Sequence, residues 1–226
     1  MKIGILQTGH APDELQPVLG DYSDMFQDLL HGQGFEYDVY NVVDNEFPEG
    51  VEAADGWLIT GSKHGAYEDH DWIPPLEDLI RAIVTEGRPL IGVCFGHQII
   101  AQALGGKVEK FAGGWAIGRQ TYDFNGIEMS FNAWHQDQVV ERPEGAIVLA
   151  SNDFCENAVL LYGDRALTIQ PHPEFDAPMI EGLANTRGRG VVPDDLLDAA
   201  LDNLDKATAN DTFADQMADF FRRERA

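Results

Sequence analysis

Cysteine is scarce in this chain: Cys94 and Cys155 are the whole supply in 226 residues. One pair cannot build the disulfide framework that replaces a core in small secreted domains, so both are read as thiols. Basic residues are also few, 15 Lys and Arg against 39 Asp and Glu, for a net charge of −24. A surface of that sign repels phosphate backbones and anionic lipid, which argues against nucleic acid and membrane as partners and leaves solubility as the plain use of the acid excess. No apolar run approaches the ~20 residues that cross a bilayer, and the run from Met1 to Gln7 is too short for a signal segment, so a cytoplasmic location is expected. No Gly-Lys-Ser phosphate loop occurs, so ATP use by the chain itself is not expected.

What is present suits a globular enzyme: 44% hydrophobic residues and 23 glycines, in a length that one α/β core accommodates. Lys2 to Gln7 reads as a strand, Asp21 to Gln33 as a helix, and Phe35 to Val43 as a second strand, a β-α-β unit. A short buried strand, Gly56 to Thr60, runs into a loop that lasts to Trp72. A helix then starts at Pro74-Pro75 with an apolar stripe at Leu76, Leu79, Ile80, Ile83 and Val84, and stops at Gly87. From Lys107 to Ile169 the pattern changes to short β segments at 117–124, 127–131, 146–150 and 158–162. The expected fold is therefore an open, mostly parallel sheet flanked by helices, with a small antiparallel β portion and a helical C-terminus. One domain spans residues 1–226, with a core to about 176 and a helical extension over 177–226. The acidic C-terminal helices most simply cover one face of the fold, with a homodimer contact through Phe213, Phe220 and Phe221 as the alternative.

The most informative segment is Leu90-Ile91-Gly92-Val93-Cys94-Phe95-Gly96-His97-Gln98, an apolar strand that breaks at a cysteine bracketed by glycines and continues as a helix. Small residues two before and two after a nucleophile permit the sharp turn that lifts its side chain out of the sheet. The helix N-terminus also favours a thiolate there. A cysteine nucleophile needs a base and an orienter, and Gln170-Pro171-His172-Pro173-Glu174 follows a short apolar strand. Residues two apart in extended backbone share a side, so Glu174 can set the tautomer of His172 and stabilise its protonated form. The Phe95 N–H and the loop at Gly61-Ser62 would supply an oxyanion hole, Gly61 by close backbone approach and Ser62 by a hydrogen bond to substrate.

Other residues have plainer readings. A free cysteine ending a buried strand is by itself commonly core packing, and Cys155, with no glycine bracket or helix start, is read that way. His135 and Asp137 lack a third ligand and are read as a substrate-lining loop. His64 and His70, scattered among aspartate and glutamate, are read as a solvated loop over the active site, and no metal or other cofactor is expected. His97 is placed behind the site. The four tryptophans are assigned to core or pocket wall, and Arg187-Gly188-Arg189-Gly190 to a turn between helices.

Gly92-x-Cys94-x-Gly96-x-Gln98 together with His172-Pro173-Glu174 resembles the class I glutamine amidotransferases, over roughly residues 3 to 175. The resemblance implies a flavodoxin-like sheet, a Cys-His-Glu triad of Cys94, His172 and Glu174, and hydrolysis of a γ-glutamyl amide through a cysteine thioester. Within the family, Cys94-Phe95-Gly96-His97-Gln98 and His135-x-Asp137-x-Val139 are similar to the amidotransferase domain of GMP synthetase. Thr60-Gly61-Ser62-x-His64 with Asp71-Trp72-Ile73 resembles the stand-alone γ-glutamyl peptidases of plants. The Gly-Gly-Pro-x-Ser loop usual in GMP synthetase is replaced here by Thr60-Gly61-Ser62-Lys63-His64. By the same resemblance Gln98 and the segment around Gln136 hold the glutamyl group. The implied partners are glutamine or a γ-glutamyl small molecule and, in one reading, a separate synthetase subunit that receives ammonia. A further reading is a silent module that binds glutamine without turnover.

Overall fold

The computed structural model describes residues 1–225. Its first half contains β1 (Lys2–Leu6), α1 (Gln16–Leu19), α2 (Tyr22–Leu29), β2 (Glu36–Tyr40), β3 (Gly56–Ile59), α3 (Ile73–Thr85), β4 (Leu90–Val93) and α4 (Phe95–Ala103). The strands β5 (Lys107–Lys110), β6 (Ala116–Phe124), β7 (Ile127–His135), β8 (Asp137–Glu141), β9 (Ile147–Ala150), β10 (Val159–Tyr162) and β11 (Ala166–Ile169) follow. The chain closes with α5 (Ala177–Leu183), α6 (Asp194–Leu201) and α7 (Asn210–Arg222). Seven strands form one sheet in the order β2-β1-β3-β4-β11-β10-β9. The first five pair in parallel, and β10 and β9 finish the edge antiparallel. That parallel part has the 2-1-3-4-5 order of flavodoxin-like sheets, in which ligands bind beyond the carboxyl ends of the strands.

Strand alternation sends Ile3, Ile5, Leu58, Ile91 and Val93 to one face of the sheet and Leu6, Trp57, Ile59 and Leu90 to the other. Phe26 of α2, Leu30 after it, and α7 cover the first face. The stripe Leu76, Ile80 and Ile83 of α3 and Ile99-Ile100 of α4 cover the second. Local chemistry starts these helices where it should. Asp21 caps α2 in a reciprocal capping box with Asp24, and prolines occupy the first turn of α3.

Three findings differ from the sequence reading. The strand expected to end at Phe131 continues to His135, because β6 pairs with it residue by residue from Phe124↔Ile127 to Ala116↔His135. His135 and Asp137 therefore end one strand and begin the next, with only Gln136 between them, and do not form a loop. The polar segment Lys107–Lys110, which carries no strand signature, pairs with β8 because Val108 packs on Val139, Ala101 and Leu160. The third concerns the dimer contact: Phe213, Phe220 and Phe221 are at most 2% exposed and pack in the same cluster as Ile3, Phe26 and Phe131. Their burial removes the surface suggested for a dimer contact.

Since α7 closes one face of the sheet, Phe213→Ala is expected to lower the unfolding free energy by about 3–5 kcal/mol in a urea titration, as a core aromatic deletion does. A loss under about 1 kcal/mol, or a change of oligomeric state, would contradict this packing.

Candidate active site

Cys94 stands between the last residue of β4 and the first of α4, with φ 52° and ψ −103°. A side chain bearing a Cβ strains this left-handed region by on the order of 1–3 kcal/mol, so the turn persists because its surroundings impose it. The Cys94 N–H donates to Ile169 O at 2.9 Å, tying the turn to β11. Close approach explains both flanking glycines. A Cβ on Gly92 would stand 2.5 Å from Gly96 O, and one on Gly96 would stand 2.3 Å from Ile59 O. The Cys94 side chain borders a cavity of about 570 Å³ at the carboxyl ends of β3, β4 and β11.

His172 reaches the same cavity from the turn after β11. Its N–H donates to Asn132 O at 2.8 Å, and the Asn132 side-chain amide donates to Phe175 O at 3.0 Å, so β7 clamps the turn. The imidazole stacks on the Phe175 ring at 3.9 Å with the planes 2° apart. Its Nδ1 lies 2.7 Å from Glu174 Oε1, both side chains being almost fully buried. Nε2 is left for the neighbouring sulfur. Burial alone would push the imidazole down, but the charges of Glu174 and Cys94 outweigh it and hold His172 well above its ordinary value.

Gly61 follows β3 on the other side of the cysteine. A Cβ there would lie 3.0 Å from His172 Cε1 and 3.7 Å from Cys94 Cβ, so only glycine leaves the ring its place without crowding. Among the described residues the N–H groups of Gly61 and Phe95 have no main-chain acceptor. Thr8, which no motif marked, fixes this loop. Its N–H donates to Thr60 Oγ1 at 3.0 Å and its hydroxyl to Gly61 O at 3.2 Å.

The expected substrate residues Ser62, Gln98, His135, Gln136 and Asp137 all border the cavity. The Gln98 amide nitrogen is committed to Asp137 O at 2.9 Å and Gln170 Oε1 at 3.1 Å. That fixes the side chain and leaves its own carbonyl oxygen as the free acceptor. His135 Nδ1 meets Asp137 O at 3.2 Å, while Nε2 is buried without a partner. Ser62 Oγ accepts the His64 N–H at 3.1 Å. Asp137 faces the Tyr67 phenol, and burial pushes its carboxyl up.

Among the wall residues that sequence reading missed are Tyr22 and Arg187. Tyr22, taken as part of a helix stripe, is buried at the cavity, and burial pushes its phenol up to about 12. Arg187, taken as part of a turn, lines the cavity and donates to Tyr22 Oη at 3.2 Å and His10 O at 3.0 Å. Among the described residues no carboxylate pairs with it, in a chain of net charge −24. Its neighbour Arg189 differs, being paired with Asp194 and Asp198. What sets Arg187 apart is its place on the cavity wall, which only the fold reveals.

His64 and His70, scattered in sequence, converge on Glu68 in the loop bordering the cavity. His97 is fully buried behind the cysteine, with Nδ1 2.7 Å from Thr168 Oγ1. Cys155 is buried, which pushes its thiol up to about 12 and makes it inert. Burial, with the neighbouring His135, holds His97 at about 3, and burial with the charge of His172 does the same to His135. A nitrogen-15 NMR titration is therefore expected to find His172 protonated at about pH 7.5 and the other two neutral, given the ordinary value near 6.5. Glu174→Gln should bring the His172 transition down. Because the folded value lies above the unfolded one, the stability that His172 contributes is complete below about pH 6.5 and is lost as pH rises through the folded value.

Comparison with known proteins agrees with this geometry. The model of the glutamine amidotransferase class-I family matches residues 18–179. γ-Glutamyl peptidase 4 of Arabidopsis thaliana is 37% identical over 177 residues, 71% of this chain and 70% of that one. One subunit of the glutamine-hydrolysing GMP synthase of Methanopyrus kandleri is 33% identical over 146 residues, 57% of this chain and 71% of that one. In fold, a glutamine amidotransferase from Thermotoga maritima superimposes with a TM-score of 0.75 at 21% identity, over 98% of this chain and 99% of that one. The chain is a hydrolase that belongs to the class I glutamine amidotransferase family.

Proposed function

We propose that the chain hydrolyses the γ-glutamyl amide bond of small γ-glutamyl peptides, with Cys94 as nucleophile. The observation that carries this reading is the convergence of Cys94, the His172–Glu174 pair and two uncommitted N–H groups on one cavity. The sulfur attacks the γ-carbonyl carbon, and the resulting oxyanion accepts hydrogen bonds from the Phe95 and Gly61 N–H groups. The imidazolium of His172, held by Glu174, gives its proton to the departing amine as the C–N bond breaks. Water, losing its proton to His172, then attacks the thioester carbon, and the C–S bond breaks to release glutamate and the free cysteine. Gln98, His135, Gln136, Asp137 and Ser62 hold the glutamyl part.

Two observations favour a peptide over free glutamine. The cavity lies within the ~300–1,000 Å³ typical of sites for ligands larger than one amino acid. Lys63, Lys110 and the unpaired Arg187 on its wall suit a carboxylate carried by the leaving group. The likeness to a GMP synthase subunit supports a second reading, a glutaminase that hands ammonia to a separate synthetase.

Glutamate release from L-glutamine and from glutathione, measured side by side, separates the two. The peptidase reading expects clear preference for glutathione. Turnover of glutamine alone, or none before a synthetase is added, carries the second reading. Cys94→Ala should reduce release by at least about 10³-fold, with no glutamyl adduct in acid-quenched mass spectra. Arg187→Gln should raise KM for glutathione about 10-fold or more, the worth of a charged hydrogen bond, and change it little for the glycine-amidated analogue. Equal effects on both peptides would remove Arg187 from carboxylate recognition.

A further inference from the structure

We propose that His64, Glu68 and His70 form a binding site for one late first-row divalent cation, Zn²⁺ foremost, on the loop at the mouth of the cavity. One ligand atom from each residue lies within 4.8 Å of the other two. Glu68 Oε2 stands 3.3 Å from His64 Nδ1 and 2.8 Å from His70 Nε2, so a single carboxylate oxygen serves both rings. Zinc bonds of ~2.0–2.2 Å in a tetrahedron set neighbouring ligand atoms about 3.3 Å apart, close to these separations. A cation between the three groups replaces two hydrogen bonds crowded on one oxygen with three metal–ligand bonds. Two imidazoles and a carboxylate suit zinc and its neighbours and are a poor set for Ca²⁺ or Mg²⁺.

The three side chains rest on a fixed support. The His70 ring stacks on Trp72 at 5.7 Å with planes 9° apart, and Trp72 packs at 5.5 Å on Phe95, the residue after Cys94. The His64 N–H is held by Ser62 Oγ, and Ala66 O accepts from the Gln102 amide at 2.7 Å. By contrast, His10 meets Asp21 and Asp44 through opposite ring nitrogens, so those groups cannot share an ion. Three protein ligands leave a fourth position open, and His64 and Glu68 border the cavity that holds Cys94. The bound cation cross-links the two ends of the 64–70 segment and fixes the loop that carries Ser62. The inference is independent of which amide the enzyme cleaves.

The test uses the full chain without a histidine tag, as Cys94→Ser, so that the cavity thiol cannot supply a ligand. Co²⁺ is the probe. One equivalent should give the visible absorption of four-coordinate cobalt, and Zn²⁺ should displace it. His70→Ala and Glu68→Gln, each checked for native circular dichroism, should weaken binding by at least about 10-fold, since even outer-shell changes cost that much. His10→Ala should bind like its parent. Retention of full affinity by His70→Ala and Glu68→Gln, loss of it in His10→Ala, or only the pale spectrum of six-coordinate aqua cobalt would overturn the site.

Discussion

The turn at Cys94 is the constraint on which the rest depends. A non-glycine residue held at φ 52° survives only where strand and helix are fixed independently, and here both are. β4 sits between β3 and β11 in the middle of the seven-stranded sheet, and α4 lies on the face closed by Phe95, Ile99 and Ile100. The two glycines allow α4 to approach β4, through Gly92, and β3, through Gly96, to distances that no Cβ would permit. The sheet thus lifts the sulfur to its carboxyl edge and presents the first N–H groups of α4 beside it, joining strain and electrostatics in one turn.

The second dependence is electrostatic. A buried imidazole beside a buried carboxylate is a weak source of stability, because desolvation offsets the attraction. In the proposed mechanism its value lies in chemistry, since the Glu174 carboxylate favours the charged form of His172. The clamp from Asn132 and the stacked Phe175 ring hold the imidazole in one orientation. In a chain of net charge −24, Arg187 joins Lys63 and Lys110 as positive groups on the cavity wall, and the proposed preference for a leaving group that carries a carboxylate rests on them.

Much of this was legible beforehand where a rule is local. The helix beginning at Pro74-Pro75, the strand ending at Val93 and the pairing of His172 with Glu174 each follow from side-chain spacing within a dozen residues. The segment Lys107–Lys110 was not legible, because a single buried valine gives no period and its strand exists only through β8. A dimer contact at Phe213, Phe220 and Phe221 stayed open as an alternative because nothing near them in sequence shows what covers them. Their cover comes from distant segments, Phe124 and Phe131 lying against Phe213 and Phe35 against Phe221.

The amino-acid sequence by itself singled out Cys94, His172 and Glu174, the glycines that permit the turn, and the alternation that builds a parallel sheet, since all of these act through neighbours in the chain. Only the tertiary structure decided that Thr8 pins the Gly61 loop, that Tyr22 and Arg187 stand on the cavity wall, that His64 and His70 share Glu68, and that α7 belongs to the core. The physical reason is range. Backbone strain and hydrophobic period are written in adjacent residues, whereas an ion pair's absence, a shared carboxylate or a covered face depends on what distant segments bring to the same place.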